Sequence, residues 1–266
     1  MAELFDMNAR ALRRDRAFRA GPAMFLYERA FTDILDRLAT VRHSFSSALL
    51  IGTPDPRWPD MLGEFAGRVT AMDPGCQFAK AAGGLQVRED ELDLEPGSFD
   101  LIVAPGTLDT VNDLPQALLR LRFLLRPDSL LIGAMPGGET LPRLRQAMRS
   151  ADIATGAASP HVHPRVEPAA LAGLLGSAGF AMPVVDIDRV NVSYRHFRAL
   201  VADLRKMGAT NILTARPRVS LTRAALAAAE QDFRRGEPER TTEQFELLHF
   251  AAWTPSGPKD QGPQES

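Results

Sequence analysis

The sequence has little of several features that would mark particular protein classes. Its 266 residues include one cysteine, Cys76, which excludes an internal disulfide and any metal site built on several cysteines. No apolar run approaches the roughly 20 residues that a helix needs to span a bilayer. The net charge is −2, so bulk electrostatics do not favour a nucleic-acid partner. The N-terminus also lacks an apolar signal core, and we expect a cytoplasmic protein without a transmembrane segment.

One local cluster of charge departs from this balance, because five arginines fall within ten residues near the N-terminus. A solvated helix face is one interpretation. The other is a docking surface for a protein partner or an anionic membrane. Both interpretations place the guanidinium groups at the surface. The five residues are Arg10, Arg13, Arg14, Arg16 and Arg19.

Short apolar runs alternate with helical patterns through the middle of the chain. The runs are continuously apolar, which is typical of parallel strands buried on both faces. A helix is predicted from Leu114, because Asp113 can cap it and Pro115 suits its first turn. This alternation predicts an α/β fold with an open, mostly parallel sheet and helices on both faces. The predicted strands cover 48–51, 68–72, 85–87, 98–109 and 129–135.

We expect three parts along the chain. Residues 1–42 carry apolar residues at helical spacing and form a helical extension that covers the cleft. Residues 43–253 form the α/β domain, with an insertion around 137–168. Residues 254–266 have the composition of a disordered tail.

The loop after the first predicted strand combines features for and against a cofactor site. Ligands of open α/β sheets bind beyond the carboxyl ends of the strands, and a nucleotide loop there needs glycine for close backbone approach. Gly52 meets this need and Thr53 follows it, but Pro54 and Pro56 fix the backbone and remove two N–H donors. Leu50 stands where a methyltransferase usually has an acid. Read alone, the loop is a poor cradle for a dinucleotide or for S-adenosylmethionine.

Other predicted strand ends supply further candidates for holding that cofactor. Asp73 is placed to bind two ribose hydroxyls, although an Asp-Pro turn explains it equally well. Asp90 could contact an adenine amino group, with Glu91 beside it, although acids in such a run are more often solvated. Ala104 ends the strand around 98–109 and completes the candidate set.

Two later segments carry residues that could contact a substrate. "GGET", from Gly137 to Thr140, is either a turn before a helix or a substrate loop to which Glu139 supplies a carboxylate. His161 and His163 stand two apart without a third ligand nearby, so we predict a loop and no metal site.

Several longer stretches resemble one known family. They are "LFDMNARALRRDRAFRA", "FDLIVAPGTLDTVNDLPQAL", "LLRPDSLLIGAMPGGETLPRLRQAM", "SPHVHP" and "VADLRKMGATN". Together they are similar to the methyltransferase-fold assembly factors of respiratory complex I, which are described as arginine hydroxylases. A more distant resemblance is to the methyltransferases of malonyl carrier protein. The similarity runs from about residue 4 to residue 253.

The resemblance implies a class I S-adenosylmethionine-methyltransferase fold, Rossmann-like, and a respiratory complex I subunit or another protein as the partner. Asp73, Asp90, Gly137, Gly138 and His161 match the family pattern, as do Asn112 and Asp113. The glycine loop departs from the pattern, and Asp109-Thr110 replaces a His-Trp pair.

Two hypotheses follow. In the first, the chain is an S-adenosylmethionine-dependent enzyme that acts on a protein or small molecule, with Asp109, Glu139 and His161 as the candidate catalytic residues. In the second, it is a non-catalytic assembly or interaction protein that has kept the fold and lost the cofactor.

Overall fold

The structure is a computed structural model that describes residues 3–237 and 239–257. Most of the expected tail, residues 258–266, lies outside the described residues. Thr254, which the sequence placed in that tail, is buried, and its backbone N–H donates to the carbonyl of Ser129 at 2.8 Å. The ordered chain therefore continues past the last strand.

The described strands form one seven-stranded sheet in the order β3-β2-β1-β4-β5-β7-β6. The first five strands run parallel, and β7 is antiparallel to both β5 and β6. The central strands are the continuously apolar runs of the sequence, so the predicted open α/β sheet is confirmed. The strands are β1 (Phe45–Ile51), β2 (Ala66–Asp73), β3 (Leu85–Gln86), β4 (Phe99–Pro105), β5 (Leu125–Pro136), β6 (Ala181–Tyr194) and β7 (Thr241–Trp253).

Helices cover both faces of the sheet because alternate residues of each central strand point to opposite sides. Leu49 and Ile51 of β1 pack with the helix that contains Leu118. Leu50, between them, packs on the other face with Phe31 and its helix. The helices are α1 (Met7–Ala20), α2 (Phe25–Thr40), α3 (Trp58–Leu62), α4 (Cys76–Ala81), α5 (Leu114–Leu124), α6 (Pro142–Thr155), α7 (Pro168–Ser177), α8 (Phe197–Lys206) and α9 (Arg223–Phe233).

A separate apolar cluster holds α6, α8 and α9 against the start of β7. This cluster lies beyond the carboxyl end of β5, because β5 leads directly into the segment before α6. The helix α1 lies near the same edge, where it contacts α4 and α8. None of the helices in residues 3–237 and 239–257 is long and apolar enough to cross a membrane.

Candidate functional site

The candidate site lies where β1, β2 and β4 end at one edge of the sheet. The chain crosses from β1 to β2 on one side, and β4 lies on the other side of β1. A ligand crevice is expected at such a switch point. Gly52 and Thr53 follow β1, Asp73 ends β2, and Thr107 follows β4.

Asp73 is completely buried, and each of its carboxylate oxygens accepts two hydrogen bonds. Oδ1 accepts from Arg14 Nε at 2.7 Å and from the Gly75 N–H at 2.6 Å. Oδ2 accepts from Arg14 Nη2 at 2.5 Å and from the Thr53 N–H at 2.8 Å. A carboxylate has about four lone-pair sites. The chain itself therefore fills all of them.

A second buried ion pair lies beside the first. Arg10 donates from Nη1 and Nη2 to the two carboxylate oxygens of Glu89, at 2.6 and 2.9 Å. Arg10 also donates to the Thr107 carbonyl at 2.6 Å and to the Thr110 hydroxyl at 3.0 Å. Burial opposes the charge of Glu89, but the charge and hydrogen bonds of Arg10 outweigh it and hold the pKa of Glu89 below its ordinary value. The carboxylate of Glu89 is therefore ionised at neutral pH.

The expected surface position of the arginine cluster is wrong for two of its five members. Arg10 and Arg14 are 3% and 5% exposed and point into the crevice instead of to the surface. Burial opposes the charge of Arg14, but Asp73 outweighs it and raises the pKa of Arg14. Arg16 and Arg19 of the same helix are exposed. One face of α1 thus supplies the crevice with cations, and the opposite face is solvated.

The loops after β1 and β4 close on each other across the crevice. Gly52 has a φ of +96°, and a Cβ at this position would stand 2.6 Å from Cγ2 of Thr107. The loop that follows, with Pro54 and Pro56, provides the Thr53 N–H to Asp73, and Asp55 in it accepts hydrogen bonds from its neighbour Arg57. The predicted cofactor loop is therefore used for contacts within the chain.

A cavity of about 90 Å³ lies on the β4, β5 and β7 side of the two arginines. That volume accommodates several water molecules. Its wall is mainly apolar and comes from α2, α8 and the strand ends. Its lining residues include Met135, Leu247, Asp109, His163 and Arg165.

An acid and an imidazole lie in the wall of this cavity, which Arg10 and Arg14 also line. Asp109 forms an ion pair with Arg165, in which Nη1 of Arg165 donates a hydrogen bond to the carboxylate. Both side chains are less than 10% exposed. His163 accepts the Ile212 N–H at 3.0 Å through Nε2, and its ring meets Phe5 edge-on. Burial lowers the pKa of His163 to about 4. The cavity therefore contains a neutral imidazole and a carboxylate that holds a guanidinium.

The structure separates the catalytic candidates. Asp109 lines the cavity, whereas Glu139 is exposed and does not line it. His161 is hydrogen-bonded to Asp152 at 2.8 Å and lines a neighbouring pocket of about 120 Å³ instead. No group of three His, Cys, Asp or Glu within the described ranges could hold a metal ion.

The candidate cofactor residues also fall into two groups. Gly52, Thr53 and Asp73 meet in the crevice, and Ala104 is buried in β4 beside it. Asp90 and Glu91 do not join them. Asp90 lies 3.8 Å from Arg88, whose guanidinium also pairs with the exposed Glu91 at 2.8 Å. Glu89, which the sequence analysis did not single out, takes the inward position.

Comparison with known proteins assigns the chain to a family. A methyltransferase-domain family matches residues 24–184, which is more than half of the chain. This chain belongs to that family. It is also homologous to the mitochondrial arginine hydroxylase NDUFAF5 of Danio rerio, at 31% identity over 242 residues, covering 87% of this chain and 75% of the relative.

Other members and solved structures agree with this assignment. A malonyl-[acyl-carrier protein] O-methyltransferase of Laribacter hongkongensis is 31% identical over 180 residues, covering 67% of this chain and 59% of the relative. The YcgJ protein of Bacillus subtilis has the same fold, with a TM-score of 0.57 at 9% identity over 85% of this chain and 99% of its own. A Haemonchus contortus phosphoethanolamine N-methyltransferase, in complex with S-adenosylhomocysteine, gives 0.52 at 13% identity, over 85% of this chain and 52% of its own.

The family is a methyltransferase-domain family, and the Haemonchus contortus structure of the same fold contains S-adenosylhomocysteine. The residues of this chain that would hold such a cofactor do not fit it in their present arrangement. Asp73 has no acceptor site left for a ribose hydroxyl, and the guanidinium of Arg14 stands directly against it. Thr107 also lies against Gly52, where a cofactor would approach the loop.

Proposed function

We propose that this chain acts on an arginine side chain of a protein, and that this protein is a subunit of respiratory complex I. The name of its relatives, arginine hydroxylase, supports the substrate class, and the similarity extends over most of both chains. One observation carries the proposal. Asp109 is a buried carboxylate in the wall of a mainly apolar cavity, and it already holds a guanidinium.

The geometry around Asp109 suits an incoming arginine. Arg165, which Asp109 now holds, lies in the segment between α6 and α7, outside the described helices and strands. A substrate guanidinium can take the place of Arg165 on the carboxylate, because both groups make the same charge-assisted hydrogen bonds. The apolar wall, which includes Met135 and Leu247, suits the methylene stem of an arginine.

A second candidate function is a non-catalytic assembly protein that binds the same arginine without the cofactor. The four hydrogen bonds on Asp73 favour it, since they leave no acceptor site for the ribose. In this function the cavity holds an arginine of the partner during assembly.

Mass spectrometry of complex I from a strain that lacks the gene tests the proposal. In this strain we expect a subunit arginine to lack the mass of one oxygen atom that it carries in the wild type. Reintroducing the wild-type gene should restore that mass. Asp109→Asn removes the carboxylate charge and should not restore it. Asp60→Asn, which changes an exposed acid on α3, should restore it. Both purified variants should first be checked for cooperative melting.

The outcomes separate the two candidates. If complex I assembly depends on the gene and on Asp109 but no arginine gains mass, the assembly protein is correct. If complex I assembles both with and without the gene, and its arginines have the same masses in the two strains, both candidates are wrong.

A further inference from the structure

At the carboxyl ends of β2 and β3, the helix α1 supplies the hydrogen-bond donors that a bound nucleoside would otherwise supply to the acids. Arg14 makes two hydrogen bonds to Asp73, the acid placed by the sequence to receive ribose hydroxyls. Arg10 makes two to Glu89, the acid that turns inward after β3, and also reaches the Thr107 carbonyl after β4. Each guanidinium is bidentate, which is the strong form of this interaction.

The seating of α1 does not depend on these two ion pairs alone. The backbone of Phe5, two residues before the start of α1, makes two hydrogen bonds with the side chain of Asn112. Its N–H donates to Oδ1 at 2.8 Å, and its carbonyl accepts from Nδ2 at 3.1 Å. Asp6 caps the helix through the Ala9 N–H and pairs with Arg216 at 2.7 Å. These contacts attach the start of α1 to two different loops of the α/β domain.

The backbone of α1 also approaches the crevice very closely. A Cβ at Gly75 would lie 2.7 Å from Cβ of Arg14, so the loop after β2 is packed directly against the helix. The Arg14 guanidinium stands over the ring of Phe78 at 5.1 Å. The helix leaves no layer in which a nucleoside could lie between Arg14 and Asp73.

We propose that α1 competes with S-adenosylmethionine for the crevice, with Arg14 in the place of the ribose and Arg10 beside it. Cofactor binding then requires α1 to leave its seat. The apparent affinity is reduced by the fraction of molecules in which the crevice is open. The proposal is independent of the role of Asp109, because its readout is cofactor binding without a substrate.

The opposite possibility is that α1 closes over the cofactor and its arginines support binding. The hydrogen bonds on Asp73 argue against it, because a supporting arginine would leave acceptor sites of the carboxylate free for the ribose. The two possibilities predict opposite effects when Arg14 is removed.

Isothermal titration with S-adenosylhomocysteine distinguishes them. We expect Arg14→Ala to bind at least about tenfold more tightly than the wild type, provided that the seated form outweighs the open form by about ten to one. Arg16→Ala is the matched control, because Arg16 is exposed on the same helix. It should bind like the wild type.

A second variant covers the case in which Arg14→Ala does not melt cooperatively. Phe5→Ala keeps the backbone bonds to Asn112 but removes the ring that packs on Ile212 and Leu213, which loosens the start of α1. It leaves Asp73, Glu89 and both arginines in place. It should also bind S-adenosylhomocysteine more tightly than the wild type. The proposal is overturned if the folded variants bind equally to the wild type, bind more weakly, or show no binding at all.

Discussion

The two halves of the carboxyl edge of the sheet are filled in different ways. Around β1, β2 and β3 the buried acids Asp73 and Glu89 are paired with Arg14 and Arg10 of α1, and an open pocket lies beside them between α1 and the loops after β2 and β3. Around β4, β5 and β7 a cavity has Asp109 in its wall, paired with Arg165. In the first half a helix therefore supplies the partners of the acids, whereas in the second half the partner comes from a segment outside the described helices and strands.

The comparison indicates how a cofactor fold can change its use. Buried ion pairs add little stability relative to an apolar pair, yet removal of one partner is costly because the other charge stays buried. Once α1 supplies the cations, the two acids are needed by the fold itself. An acid at a strand end is then no proof of a bound nucleoside.

The largest effect is expected from Arg10→Leu, which leaves Glu89 buried without a partner. Glu89 is completely inaccessible to solvent. We expect the free energy of unfolding to fall by about 3–5 kcal/mol, measured by urea denaturation at pH 7. Arg16→Leu on the exposed face should change it by less than about 0.5 kcal/mol. Equal, small losses in both variants would mean that the ion pair does not hold the crevice closed.

The cavity half should respond to pH through His163. Its pKa is lowered to about 4 in the folded protein from 6.5, so the unfolded chain takes up a proton first as the pH falls. The neutral His163 therefore leaves the folded protein at full stability above pH 6.5, and this stability is lost progressively as the pH falls toward 4. When the pH falls from 7 to 4.5, we expect the free energy of unfolding of His163→Gln to decrease by about 2–3 kcal/mol less than that of the wild type.

The glutamine in this variant retains an acceptor for the Ile212 N–H. His249, whose pKa is also lowered by burial, is present in both proteins, so its contribution cancels in the comparison. Parallel pH profiles of unfolding for the two proteins would contradict a buried, neutral His163.

A smaller effect tests the closure between the loops. Gly52→Ala and Gly156→Ala both place a side chain at positive φ, but a Cβ at Gly156 meets no atom within 4 Å, whereas at Gly52 it meets Thr107. We expect Gly52→Ala to lower the free energy of unfolding by about 1–3 kcal/mol more than Gly156→Ala does, because the added Cβ overpacks the site. Thr107→Ser removes the methyl group concerned and should recover part of that difference in the double variant. No recovery would place the strain elsewhere.

The smallest effect is expected for an exposed ion pair outside both halves. Arg198 and Glu230 join α8 and α9 at 2.9 Å, with 71% and 38% of their side chains exposed. Arg198→Ala should lower the free energy of unfolding by less than about 1 kcal/mol. A loss as large as that of Arg10→Leu would remove the distinction between buried and exposed pairs.

The sequence predicts the sheet well because its strands are fully apolar. Runs such as Ala48–Ile51 fit a strand buried on both faces, and capping residues such as Asp113 mark the helix starts. The short helix α4, Cys76–Ala81, was missed. Its six residues include Phe78 and Ala79 as its buried positions, too few to give a helical period.

The candidate site was predicted less completely, for physical reasons. An arginine-rich helix is normally solvated, and what turns Arg10 and Arg14 inward is a pair of acids 59 and 79 residues away. The choice of Glu89 over Asp90 depends on a single short turn within an acidic run. Arg165 meets Asp109 across 56 residues, so no local pattern connects them.

The central claim is that a seated α1 and a bound cofactor exclude each other. A crystal structure of the full chain grown with excess S-adenosylhomocysteine tests it most directly. We expect crystals with the nucleoside on Asp73 to have Arg14 displaced, and crystals with Arg14 on Asp73 to contain no nucleoside. Ribose hydroxyls within hydrogen-bond distance of Asp73, with Arg14 still paired to it, would show that the two do not exclude each other.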